Sequence, residues 1–155
     1  MLQLQKQKEV LISKWNNEGM IIIQVVTDKK SMDNSIILIT GAAGNLGGLL
    51  AYYLKDRYLH LMTHKKEVSE ELKNRSNIKI FKADLENKET LYPALNGVKT
   101  VVHFAGVLFK SRPEKFLPVT NTIYFSNLLE VAIKQGVRRI IFSNQVRNDV
   151  LEQLV

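Results

Sequence analysis

From Ile37 to Leu54 the chain reads ILITGAAGNLGGLLAYYL. The aliphatic and β-branched run Ile36–Thr40 leads directly into glycines at 41, 44 and 47, and Leu and Tyr then recur at helical spacing. A short, continuous apolar run of this kind is a strand buried on both faces, as found inside a parallel sheet. The glycines answer separate needs. Gly41 can turn the chain sharply with positive φ. Gly44 presents no side chain to a diphosphate, and Gly47 lets the helix lie close to the strand. A helix opening at Asn45 offers unpaired N–H groups and a partial positive charge at its start. The stretch is therefore a phosphate-binding strand–loop–helix unit, and it needs a sheet to hold its strand.

The remaining pattern supplies that sheet. After the glycine loop comes a helix over Asn45–Lys55, with Leu46, Leu49, Leu50, Tyr53 and Leu54 on one side. A second strand at Tyr58–Thr63 precedes a short polar helix at Glu67–Arg75, and a third strand follows at Ile78–Lys82. A helix from about Asn87 to Leu95 contains Pro93, which lies in its first turns or bends it. The fourth strand is Lys99–Phe104, then a long helix runs over Glu114–Gln135 until Gly136 stops it, and the fifth strand is Arg138–Ser143. Strands alternating with helices predict an α/β fold, a Rossmann-type doubly wound parallel sheet covered on both faces. Right-handed crossovers and the glycine-rich first turn suggest the strand order 3-2-1-4-5. With nothing further after strand five, that strand is expected to form an edge.

Residues 1–32 look different. Leu2, Leu4, Val10, Leu11 and Trp15 fit a ragged helix, GMIIIQVV fits a strand, and TDKKSMDNS reads as a linker. Two readings stand: an upstream extension of the reading frame, which is the favoured one because Met32 lies four residues before the first convincing strand, or an added helix and strand. The domain proper is then 33–145, with a short tail over 146–155.

Length and composition bound the rest. The 155 residues fit one domain, and 45% hydrophobic residues support a core. There is no cysteine, which excludes disulfides, thiolate nucleophiles and Cys-based metal sites. His60, His64 and His103 lack metal-ligand spacing, so no metal is expected. No apolar run approaches a membrane span, and the polar N-terminus does not resemble a secretory signal, so a cytoplasmic location is expected. The net charge of +7 is scattered, without aromatic interleaving or a helix-turn-helix pattern. It fits affinity for an anionic cofactor, and no specific nucleic-acid partner is expected.

Five motifs, taken in order, resemble the short-chain dehydrogenase/reductase superfamily, in its extended or atypical branch of NAD-dependent epimerase/dehydratase-like enzymes. They are TGAAGNLG (Thr40–Gly47), KADLEN (Lys82–Asn87), VVHFAG (Val101–Gly106), NTIYFSNLLEVA (Asn121–Ala132) and GVRRIIFSN (Gly136–Asn144), together covering roughly residues 34–145. The resemblance implies a dinucleotide on Gly41, Ala43, Gly44, Asn45, Leu46 and Gly47. It places the adenine against Asp84 and Leu85, and the ribose and nicotinamide past His103, Ala105 and Gly106, with Asn121 nearby. Tyr124 and Phe125 stand where the family usually has Gly-Thr.

The second strand ends HLMTHKK, with no carboxylate before Glu67. His64 falls where NADP-using relatives often carry Arg, and Lys65 and Lys66 follow, so NADP is favoured over NAD. The chemistry is less complete. The family's acid/base Tyr is followed four residues later by Lys, which puts both on one helix face. The residues four beyond Tyr52, Tyr53, Tyr58, Tyr92 and Tyr124 are Asp56, Arg57, Met62, Asn96 and Leu128. By the resemblance, Gln145 falls where relatives carry the working hydroxyl after strand five, which leaves Ser143 and Gln145 as the catalytic candidates. The expectation is the NAD(P)-binding domain of an epimerase/dehydratase-like oxidoreductase, cut short after strand five, inactive alone and prone to self-association through an exposed apolar face. The alternatives are a non-catalytic NADP-binding sensor or regulatory module, and a non-functional gene fragment.

Overall fold

The computed structural model describes residues 10–14, 20–25, 35–105 and 113–143. In chain order the elements are β1 (Val10–Lys14), β2 (Met20–Val25), β3 (Ile36–Thr40), α1 (Asn45–Tyr53), β4 (Leu59–Thr63), α2 (Glu70–Lys73), β5 (Ile78–Lys82), α3 (Lys88–Leu95), β6 (Val98–His103), α4 (Pro113–Lys134) and β7 (Arg139–Ser143). One seven-stranded sheet runs in the order β1-β2-β7-β6-β3-β4-β5. Its five strands β3–β7 are mutually parallel, so the expected 3-2-1-4-5 arrangement is present.

Successive strand residues point to opposite faces, and the two layers of helices use both. Leu38, Val101 and Ile140 face a cluster built with Leu91 and Leu95 of α3 and Leu128 and Val131 of α4. Ile39 and Leu61 face a second cluster with Ala51 of α1, Leu72 of α2 and Val68 just before α2. Leu128 and Val131 are fully buried, each contributing about 2 kcal/mol of burial free energy, so α4 is fixed on the sheet by these positions. Pro93 lies inside α3, where the helix tolerates it, and Gly136 ends the α4 turn at φ +73°.

Three expectations change. First, Val10–Lys14 is a strand, not part of a helix; Leu2, Leu4 and Trp15 lie outside the described residues. The strand expected at GMIIIQVV is β2. Second, β7 is not an edge. β2 pairs with it antiparallel from Met20↔Ser143 to Gln24↔Arg139, and β1 pairs with β2. The backbone donors and acceptors along β7 that a strand on the far side would use are taken by this hairpin. Third, the residues expected on one side of α1 do not share one environment. Gly47 and Ala51 are its buried residues, Leu50 and Leu54 are half-buried, and Leu46, Leu49 and Tyr53 are exposed. The small residues let the helix sink onto the glycine loop, which rotates the bulky ones outward.

Candidate functional site

Because β3–β7 are parallel, the loops leaving the carboxyl ends of β3, β4, β5 and β6 gather at one end of the sheet, where doubly wound folds bind ligands. Gly41 has φ +66°, and a side chain there would meet the Ala105 nitrogen at 2.9 Å and the Phe104 carbonyl carbon at 3.0 Å. The loop after β6 therefore crosses directly against the glycine turn. At Gly47 an added Cβ would lie 2.4 Å from the Gly41 oxygen and 2.8 Å from the Ala42 Cα, so this position fixes how closely α1 approaches β3.

Gly44 differs from both. It is exposed, its φ is an ordinary −88°, and an added Cβ would meet only the Gly41 oxygen, at 3.2 Å. The fold needs glycine at 41 and 47 far more than at 44. Gly44 is also the N-cap of α1. Its own N–H donates to the Gly41 carbonyl at 2.9 Å, and the first helical bond is from Gly48 back to Gly44. No side chain caps this helix and no acidic residue stands in its first turn. The N–H groups of Asn45, Leu46 and Gly47 thus have no helical acceptor, and their surroundings suit an anion. Ala43 is half-buried beside them, while Asn45 and Leu46 are exposed.

Thr40, the last residue of β3, organises the β6 side. Its Oγ1 accepts the N–H groups of Phe104 and Ala105, each at 3.2 Å, and lies 2.7 Å from His103 Nδ1. With both lone pairs engaged, the hydroxyl gives its proton to Nδ1, which leaves the imidazole hydrogen on Nε2. Burial pushes the His103 pKa down to about 4, so the ring is neutral at neutral pH. Phe125 of α4 packs on it, with ring centroids 5.6 Å apart. His103 is thereby a neutral positioning group behind the loop.

Asp84 and Leu85 follow β5. The Asp84 backbone is fastened by Thr90, whose Oγ1 accepts its N–H at 2.9 Å and lies 3.0 Å from its carbonyl oxygen. Asp84 Oδ1 accepts the Glu86 N–H at 2.9 Å, while Oδ2 stands 3.6 Å from His64 Nε2. Leu85 is buried in the α3–α4 cluster. Beside His64 a cavity of about 300 Å³ is lined by Lys65, Lys66, Lys73 and Lys82, with Glu67 among them. Lys73 pairs with Glu67 at 2.6 Å and with Glu70 at 2.7 Å. Lys65 and Lys66 make no ion pair among the described residues.

The fold therefore brings the glycine loop, His64 and Lys65, Asp84 and Leu85, and His103 and Ala105 to one end of the sheet. Asn121 is half-buried on α4. Gly106 and Gln145 lie outside the described residues, and Ser143 is described only as the last residue of β7. Sequence reasoning missed the anchoring role of Thr40 and the contribution of Lys82 to the basic cavity. A polar residue ending a buried strand was the signal for the first. Lys82 had none beyond its place at the end of β5. His60, buried and donating from Nδ1 to the Ala94 carbonyl at 2.7 Å, pins α3 to β4 and is structural. Among the described residues no three His, Asp or Glu side chains group to hold a metal, and no helix is long and apolar enough to cross a membrane.

Residues 37–144 match the model of the NAD dependent epimerase/dehydratase family, well over half of the chain. A uronate dehydrogenase of Pseudomonas syringae pv. tomato is 29% identical over 110 residues, covering 70% of this chain and 38% of that protein. The uronate dehydrogenase of Pseudomonas putida is 31% identical over 108 residues, covering 70% of this chain and 40% of that one. Among solved structures, a uronate dehydrogenase variant from Agrobacterium tumefaciens complexed with NAD superposes with a TM-score of 0.56 at 26% identity, over 70% of this chain and 40% of the other. The chain thus spans about two-fifths of the length of these relatives.

Proposed function

The chain belongs to the NAD dependent epimerase/dehydratase family, and from that premise we propose that its domain over 33–145 holds a nicotinamide dinucleotide by the carboxyl end of the sheet. The observation that carries this reading is Gly44, a glycine that the turn and the packing demand far less than Gly41 or Gly47, placed over a helix start with three unclaimed N–H groups. The diphosphate would lie against that start, held by the N–H groups of Asn45, Leu46 and Gly47 and shielded from water by Leu46. Asp84 and Leu85 would hold the adenine, while His103, Ala105, Gly106 and Asn121 would border the ribose and nicotinamide. When bound, such a cofactor supplies hydride acceptance or donation.

For the finer choice of cofactor we favour NADP. The support is electrostatic: the end of β4 carries His64, Lys65 and Lys66 and opens on a cavity that Lys82 also lines; of the neighbouring carboxylates, Glu67 is engaged by Lys73 and Asp84 stands beside His64. A 2′-phosphate would be attracted there, whereas a bare ribose diol would find no carboxylate acceptor at the strand end.

We also propose that this chain alone does not turn over a substrate. No Tyr is followed by Lys at spacing four. Tyr124 is held on α4 with its hydroxyl on Glu86, and the residue four beyond it, Leu128, is wholly buried. A missing positioned acid/base removes about 10²–10⁴ in rate. The whole protein of which this is the cofactor part would be an epimerase/dehydratase-like oxidoreductase. The absent pair also fits the alternative reading, a non-catalytic NADP-binding module.

The test is a calorimetric titration of the purified chain with NADPH and NADH, together with turnover assays on a uronic acid and a nucleotide sugar. We expect tighter NADPH binding, a smaller gap between the two cofactors in His64→Ala/Lys65→Ala, and no turnover. Equal affinities in the parent chain would overturn the NADP choice. Turnover well above a Gly44→Val control would overturn inactivity, and binding of neither cofactor would leave the non-functional fragment.

A further inference from the structure

The loop after β5 is gripped from α4 by a row of side chains at spacing three. Tyr124 donates its hydroxyl to Glu86 Oε1 at 2.6 Å. Asn127 Nδ2 donates to the Leu85 carbonyl at 2.9 Å, and Glu130 pairs with Lys88. Tyr124 also packs its ring against the core cluster that contains Leu85. From Glu86 the connection continues inward, because its backbone N–H is the donor that fixes Asp84 Oδ1. Asp84 Oδ2 is left toward His64. The orientation of the Asp84 carboxylate thus depends on where Glu86 stands, and the side chain of Glu86 is held by Tyr124.

We propose that Tyr124 is a positioning residue of the cofactor site, acting through Glu86 to set the Asp84–Leu85 loop for the adenine. This rests on the dinucleotide-binding reading above. Tyr124 does not serve as an acid or base at neutral pH: the hydrogen bond to Glu86, with burial and the charges of Glu86 and Asp84, pushes its pKa up to about 12. The hydroxyl therefore stays protonated and the link to Glu86 persists across the physiological range.

The experiment measures Kd for NADPH, NADH and ADP-ribose with the full chain and with Tyr124→Phe, Glu86→Ala, Glu86→Gln and the Tyr124→Phe/Glu86→Ala double variant, each checked by a thermal melt. Tyr124→Phe keeps the packed ring and removes only the donor. It and Glu86→Ala should each weaken all three ligands roughly fivefold, the effect of one lost hydrogen bond. The double variant should be no weaker than either single one, within about twofold, because one link is broken once. Glu86→Gln keeps an amide oxygen acceptor and should keep the parent affinity, a rescue that general loosening of the fold would not give. Unchanged ADP-ribose affinity in Tyr124→Phe, multiplicative losses in the double variant, or a Glu86→Gln as weak as Glu86→Ala would each overturn the positioning role while leaving dinucleotide binding intact. A parent chain that binds none of the three ligands would overturn both.

Discussion

The neighbouring glycines 47 and 48 permit a test in which the same substitution has opposite signs. In Gly47→Ala the new methyl would stand 2.4 Å from the Gly41 oxygen, 2.8 Å from the Ala42 Cα and 2.9 Å from the Gly41 carbonyl carbon. All three obstacles are backbone, so no side chain can swing aside. Restoring normal contact requires α1 to retreat by about 1 Å, which loosens Ala51 from its cluster; overpacking of this kind costs about 3 kcal/mol. Alanine recovers about 1 kcal/mol of helix propensity. The net loss is about 2 kcal/mol, or a fall in Tm of roughly 4–8 °C for a chain of this size. In Gly48→Ala the methyl meets only the Ala42 oxygen, at 3.5 Å, an ordinary contact. Propensity alone then acts, and Tm should hold or rise by about 2 °C. Circular-dichroism melts of the parent and both variants decide the matter. A Gly47→Ala chain melting at or above the parent, or two variants falling alike, would refute the claim that Gly47 sets the helix–strand distance.

Acid should destabilise the fold through its buried histidines. His103 is pushed from 6.5 down to about 4 and His60 is also lowered, both by burial, so between about pH 4 and 6.5 the unfolded chain binds more protons than the folded one. Stability therefore rises with pH across that window, with His103 alone contributing about 3 kcal/mol, and a flat urea midpoint between pH 4.5 and 6.5 would contradict it. Removing residues 1–31 so that the chain begins at Met32 takes away β1 and β2 and exposes the β7 edge, which should produce self-association visible by light scattering. A monodisperse shortened chain with the parent melting temperature would show that the hairpin is not a structural cover.

The five parallel strands were legible because each is an apolar run bounded by glycine or polar residues; β5 falls at the expected Ile78–Lys82 and the others within a residue or so. The glycine loop was legible for the same local reason. The short polar helix is expected over Glu67–Arg75 and is shorter. Its helical part is Glu70–Lys73, because Glu67 instead reaches Lys73 and Ser69 takes the N-cap position. The buried face of α1 is not legible from the spacing of its leucines, because that spacing does not say how far Gly47 lets the helix descend. The hairpin on β7 and the Thr40–His103 contact join residues far apart in the chain, and no local pattern encodes such registers. The basic character after β4 was visible in THKK, but the part Lys82 plays in that cavity required the β4–β5 register.

The central claim is that Gly44 is kept for a ligand and not for the fold. The direct measurement is a calorimetric titration of NADPH and NADH into the parent chain and into Gly44→Val, with melts of both. At position 44 the backbone is in an ordinary conformation and the added Cβ meets a single oxygen at 3.2 Å, so Gly44→Val should remain folded and melt within a few degrees of the parent, about 1 kcal/mol lower. Its side chain would stand where the proposed site holds the diphosphate, and dinucleotide binding should be lost. A folded Gly44→Val chain with undiminished affinity for both cofactors would contradict the claim.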